Sequence, residues 1–210
     1  MGIAMQLRLL LKVKKNLLKF THHCSTAKLE NFISNCMYKV YKSQTIIDNQ
    51  EEFVADCSLL FKHIAKDVNN YDTTWTYDQY NIFAYASPKK IWTDLFRELR
   101  EYATDYLGTD RDLFYQSWLN HHMGNNLLDW HTHTWPYHGY ISIQPLDSKT
   151  IFENFEINNE VGNIYIGPGD LRHKVVCDDV YTPRITLGFD ITYHQDHISS
   201  SKGLHPLFIR

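Results

Sequence analysis

Beyond Gly108 the chain reads as a succession of short, turn-bounded strands, and this pattern limits the fold more than any other feature. The segments are 114–120, 139–144, 150–157, 163–166, 173–177 and 184–193. Each is rich in β-branched or aromatic residues and is bounded by Gly, Pro, Asn or Asp. Several short strands separated by turns imply an antiparallel sandwich or barrel. Upstream the periodicity is helical. Leu29, Phe32, Ile33, Cys36 and Val40 recur at helical spacing, as do Phe53, Val54, Cys57, Leu60, Phe61, Ile64 and Ala65. A third helix is expected with Ser87 as cap and Pro88 at its first position. Its stripe is Ile91, Leu95, Leu99, Tyr102 and Tyr106, and Gly108 stops it. The aromatic segment 71–86 is ambiguous and suits one or two further strands. Helices followed by strands is an α+β order. The expected organisation is a helical extension over residues 1–70 and a β domain over 71–210.

Charge is distributed unevenly. Residues 1–43 carry eight Lys or Arg against the single acid Glu30, in a chain of net charge -3. The remainder is therefore acidic, which argues against nucleic-acid binding by the main domain. Met1–Phe20 is Leu-rich but interrupted by Arg8, Lys12, Lys14 and Lys15, a poor secretory core. It suits a basic helix docked on its own domain, an amphipathic presequence or a membrane-surface helix. No apolar run reaches transmembrane length. Cys24, Cys36, Cys57 and Cys177 are scattered without a C-x-x-C, as expected of reduced thiols in a cytoplasmic protein. The sequence has no Gly-rich nucleotide loop, no Gly-x-Ser-x-Gly elbow and no His-Glu-x-x-His, so hydrolase and dehydrogenase readings lack support.

The chemistry-bearing residues are histidines. Five of the twelve fall between His121 and His138. Trp130-His131-Thr132-His133 puts two imidazoles at i and i+2, on one face of an extended segment. A distant third, His173, follows the turn Gly167-Pro168-Gly169-Asp170. Three such rings meeting at a strand end make a facial triad with open positions, suited to iron, zinc, copper or nickel. Asp129 and His138 are alternative or supporting ligands. Arg184 and Thr186 share a face of the next strand, where a guanidinium fork and a hydroxyl suit a carboxylate.

Residues 117–190 resemble the small 2-oxoglutarate–Fe(II) oxygenases of marine bacteria and phages, relatives of the prolyl hydroxylases. The matching pieces are Ser117-Trp118-Leu119-Asn120, Gly124, His131-Thr132-His133, Gly162, the turn before His173, and Arg184-Ile185-Thr186. The helix 89–107 fits their pre-barrel helix, and the first seventy residues carry no likeness. The resemblance implies a double-stranded β-helix (jelly roll) with the N-terminal helices packed on it. It implies Fe(II) on His131, His133 and His173, and 2-oxoglutarate as co-substrate with O2. Arg184 and Thr186 would receive the far carboxylate, with Asn120 and Tyr140 near the co-substrate. His133 stands where the wider superfamily has Asp or Glu, which leaves the metal site more positive by one charge.

Two other readings fit the same residues. One is a cupin-type metal dioxygenase without 2-oxoglutarate, in which Pro168 and His173 match the second cupin motif but Arg184 has no task. The other is a non-enzymatic β-sandwich with a structural metal. The substrate is open between a protein side chain such as proline and a small metabolite. Trp135, Tyr137, Tyr140 and Tyr165 are candidates for its pocket wall.

Overall fold

The computed structural model describes residues 37–67, 80–86, 88–108, 112–122, 128–178, 181–193 and 205–208. The chain divides into two compact units, Met1–Met37 and Tyr38–Arg210. The second contains every element described below. The basic N-terminal segment, the stripe from Leu29 to Cys36, Ser87 and Gly124 lie outside the described residues.

Two antiparallel sheets form the body. The larger has the order β1 (Lys39–Lys42), β6 (Asn163–Pro168), β3 (Tyr137–Gln144), β8 (Arg184–Thr192), β2 (Leu113–His122), β9 (His205–Phe208). The smaller has the order β5 (Glu156–Asn158), β4 (Lys149–Phe152), β7 (His173–Val176). The segment entering β3 runs beside β7. His131 and His173 form an antiparallel bridge, and Val175 N donates to Leu128 O at 2.9 Å. Chain-distant strands thus alternate around a curled pair of sheets, which is a double-stranded β-helix with helices against one face.

Strand β8 organises this arrangement because both of its edges are paired. Trp118 and Tyr140 flank Gly188, and Asn120 and Ser142 flank Thr186. Its alternate residues Ile185, Leu187, Phe189 and Ile191 are fully buried and belong to the main core. That core includes Phe53 and Cys57 of α2 (Gln50–Asp67) and Trp92, Leu95 and Leu99 of α4 (Lys90–Leu107). Each such side chain contributes about 1.5–3 kcal/mol by leaving water. A second cluster, Tyr140, Phe152, Ile157 and Tyr165, fills the space between the sheets.

The strand pattern predicted from sequence is recovered, with differences that have physical causes. The expected strand 150–157 breaks after Phe152, because Phe152 N donates to Phe155 O at 2.8 Å and closes a hairpin to β5. Val40, expected on a helix, lies in β1, which satisfies the free edge of β6. Aromatic stacking decides this locally: Tyr41 lies on Tyr102 at 4.5 Å and Tyr38 on Phe155 at 4.4 Å. Ser43 then caps α1 (Gln44–Asp48) by accepting from Ile46 N. Residues 82–85 form a short helix, α3 (Ile82–Tyr85), instead of a strand, because the Asn81 side chain caps Phe83 N at 3.1 Å. Helix α4 starts at Lys90, two residues later than expected, with no side-chain cap at Lys89. Lys89 is instead drawn to Asp56, at 2.7 Å, and to Glu52. Gly108 ends the helix with φ 54°, where a left-handed backbone favours glycine. No helix among the described residues is long and apolar enough to cross a membrane.

At Gly139 the sheet and core come closest. An added Cβ would lie 2.1 Å from the Phe189 ring and 2.4 Å from Tyr165 O, a backbone atom held in the sheet. Gly139→Ala is expected to destabilise the fold by about 1–3 kcal/mol through overpacking. An unchanged urea midpoint would contradict this close approach.

Candidate metal and anion site

The three histidines are brought together by backbone pairing. His131 N donates to His173 O at 2.9 Å and His173 N returns a bond to His131 O at 3.0 Å. His133 N donates to Gly169 O at 2.8 Å. The turn before β7 must pass close to this segment. A Cβ on Gly169 would stand 2.0 Å from Trp135 O, so the position suits only glycine.

One nitrogen from each of His131, His133 and His173 lies within 4.8 Å of the other two. Their Nδ1 atoms are engaged elsewhere. His131 Nδ1 meets Asp129 O at 2.6 Å and His173 Nδ1 meets Leu171 O at 2.9 Å. A carbonyl only accepts, so both rings carry their proton on Nδ1. His133 Nδ1 lies 3.0 Å from Asp190 Oδ1 and 3.3 Å from Oδ2. Nε2 is therefore the nitrogen each ring can offer to a shared ion. Burial pushes the His131 imidazole below its ordinary range and that of His173 down to about 4, which favours the neutral, ligating form.

Asp129 is exposed, and its carboxylate accepts from Trp130 N at 2.7 Å. The carboxylate near the triad is Asp190, a residue the sequence reading did not single out. It is 1% exposed and accepts from His133 Nδ1, from His138 Nδ1 at 3.0 Å and from Gln116 Nε2 at 3.3 Å. Burial pushes its carboxyl up, but the bonds from His133 and His138 outweigh this and hold it below the usual range. His133, His138 and Asp190 form a second cluster with ligand-type atoms within 4.8 Å, sharing His133 with the first. The signal that finds Asp190 is parity: it lies four and six residues beyond Thr186 and Arg184, on the same face of β8.

The same face carries the anion-binding candidates. Arg184, Thr186, Asn120 and Tyr140 line one pocket with the three histidines. Arg184 is 5% exposed, and its Nε donates to Ser148 Oγ at 3.2 Å. Its Nη1 is buried and meets no hydrogen-bond partner among the described residues. Among the described residues no Asp or Glu contributes to its electrostatic surroundings, and burial pushes its guanidinium down to about 10. Asn120 Nδ2 donates to Thr186 Oγ1 at 3.2 Å, while Asn120 Oδ1 is buried and meets no hydrogen-bond partner among the described residues. Of the other aromatics proposed for the wall, Tyr165 stacks behind Tyr140 at 5.2 Å and Tyr137 bonds the Tyr193 hydroxyl at 3.1 Å. His122 is buried opposite Arg184 on β2, and burial, then the Arg184 charge, push it down to about 4.

No family model matches the sequence, and neither does any curated protein. Solved structures match the fold. The non-haem alpha-ketoglutarate-dependent epimerase SnoN from nogalamycin biosynthesis superposes with TM-score 0.55 at 9% identity, over 80% of this chain and 82% of that one. The non-haem monooxygenase ThoJ, as a nickel complex, gives 0.53 at 11% identity over 83% and 78%. HygX from Streptomyces hygroscopicus, with iron bound, gives 0.52 at 13% identity over 82% and 88%. At these identities the likeness is one of architecture.

The depressed histidines fix a pH dependence. The unfolded rings titrate near 6.5, whereas folded His173 titrates near 4. Between those values the unfolded chain binds more protons, so stability falls as pH is lowered. Each tenfold preference for the neutral ring is worth about 1.4 kcal/mol. The metal-free protein is expected to lose urea resistance steadily from pH 6.5 to pH 4. Saturating Ni(II) should raise the midpoint at pH 7. A flat profile over that range would count against neutral, buried imidazoles.

Proposed function

We propose that the chain is a non-haem Fe(II)- and 2-oxoglutarate-dependent dioxygenase that hydroxylates a protein side chain or a small metabolite. The observation that carries this reading is Arg184. A charged guanidinium enclosed in a pocket where no described residue supplies a carboxylate is costly, and the cost is offset when a ligand brings the anion. Arg184 sits on the wall of the pocket that the three histidines also line. A dicarboxylic acid that chelates a metal at one end and carries a carboxylate at the other fits that pair of features.

Three imidazoles with committed Nδ1 atoms suit a divalent first-row metal and leave coordination positions open. Bound there, iron and 2-oxoglutarate would couple the reduction of O2 to decarboxylation, giving succinate and CO2, and to hydroxylation of a C–H bond. The chain's own part is to hold and orient. His131, His133 and His173 fix the metal position. Arg184 Nη1 grips the far carboxylate, and Thr186 and Asn120 offer neighbouring polar atoms. Trp118, Leu128 and Val175 line the pocket and limit water. A cupin-type reading without 2-oxoglutarate leaves the Arg184 charge uncompensated, and a closed structural metal site leaves it equally without a partner.

The full chain with Fe(II), 2-oxoglutarate and O2 is expected to release succinate above the background of a His131→Ala/His173→Ala variant. Arg184→Met should weaken 2-oxoglutarate binding to the Ni(II) form by roughly thirtyfold or more, as expected when one member of a buried charge pair is removed. The same substitution should leave the ligand-free protein at least as stable as the parent, because it removes an uncompensated buried charge. Unchanged calorimetric affinity in Arg184→Met would overturn the anion assignment.

A further inference from the structure

We propose that Asp190 is a positioning residue for the metal: placed behind His133 and shared with His138, its carboxylate acts through one hydrogen bond instead of as a direct ligand. This rests on the metal-site reading above but concerns a residue which that reading does not use.

The geometry is specific. Asp190 is 1% exposed, in the centre of the larger sheet, opposite Gln116 on β2 and His138 on β3. Its Oδ1 is 3.0 Å from both His133 Nδ1 and His138 Nδ1. The two rings stack at 3.6 Å with an interplanar angle of 13°. An ionised carboxylate has only lone pairs to give, so each ring must present an N–H to it. The proton on His133 is thereby fixed on Nδ1, and Nε2 is left as the lone-pair nitrogen on the side shared with His131 and His173. Outer carboxylates of this kind orient ligating imidazoles and raise their basicity. Here the negative charge that a direct carboxylate ligand would supply remains close to the ion, displaced by one imidazole. His138 supports the arrangement from the other side, because its bond keeps Oδ1 in line with His133 and its ring packs flat against the ligand ring.

Asparagine at this position tests the idea with little change of shape. Its Oδ1 can still accept from both rings, but the negative charge is lost and Nδ2, at the place of Oδ2, turns N–H groups towards His133 Nδ1 and Gln116 Nε2. In full-length Asp190→Asn, titrated with Co(II) alone, affinity is expected to fall about ten- to a hundredfold, the usual effect of losing an outer-shell partner. Stoichiometry should be unchanged and the visible spectrum of the bound ion altered. The unsubstituted protein supplies a second measurement that does not depend on the folding of the variant. Nitrogen-15 NMR of its imidazoles should find His133 protonated on Nδ1, with Co(II)'s diamagnetic substitute Zn(II) shifting Nε2. Complete loss of Co(II) binding in Asp190→Asn, with Zn(II) shifting His133 Nδ1, would make Asp190 a direct ligand in a site with His138 and overturn the proposal. Unchanged affinity and spectrum, or a His133 proton on Nε2, would overturn it too. Failure of the underlying metal-site reading looks different: the His131→Ala/His173→Ala variant would bind Co(II) as the parent does.

Discussion

The structure depends on the strict alternation of β8 between two environments. The strand is paired on both sides along its length, so a shift of one residue would put four apolar side chains between the sheets and the site-forming residues among the helices. Ile185, Leu187, Phe189 and Ile191 anchor one face in the helical core. Arg184, Thr186, Gly188 and Asp190 are held on the other by the same register. Gly188 has a steric reason to be small, since a Cβ there would stand 2.4 Å from the Trp118 ring. The hydrophobic core and the polar site are thus two faces of one pairing decision.

That face carries opposite charges six residues apart on one strand, their Cα atoms about 20 Å apart, and the protein treats them differently. Asp190 is buried and compensated from within by His133, His138 and Gln116. Arg184 is also buried, yet its Nε donates to the neutral Ser148 hydroxyl. Ser148 itself accepts from Asn159 Nδ2 at 3.1 Å, and Asn159 Oδ1 accepts from Thr150 at 3.2 Å, so the guanidinium is oriented by a fixed network without being neutralised. A buried anion with internal donors suits a permanent positioning task. A buried cation without an internal carboxylate among the described residues suits recognition of an anion from outside.

Much of the framework was legible in the sequence because it rests on local chemistry. The strands after Gly108 announced themselves by β-branched and aromatic residues between turn formers, and α4 by its stripe and by the glycine at its end. His131, His133, His173 and Arg184, singled out as candidates by their spacing on an extended chain and after a turn, line one pocket. What local chemistry missed was β1, whose residues fit a helix equally well until the edge of β6 and the Tyr102 ring are present. Strand β9 was missed for the same reason, since an edge position is set by the partner β2.

By itself, then, the sequence determined the β-rich C-terminal half, the helix that precedes it and the side chains available for metal and anion chemistry. Those properties follow from periodicity and residue type, which need no partner to be read. Tertiary structure alone decided that Asp190, not Asp129, stands against the histidines, and that Arg184 is enclosed with no carboxylate beside it among the described residues. Both are matters of which groups face one another across strands far apart in the chain, and hydrogen-bond satisfaction in a buried site is fixed only when those strands pair.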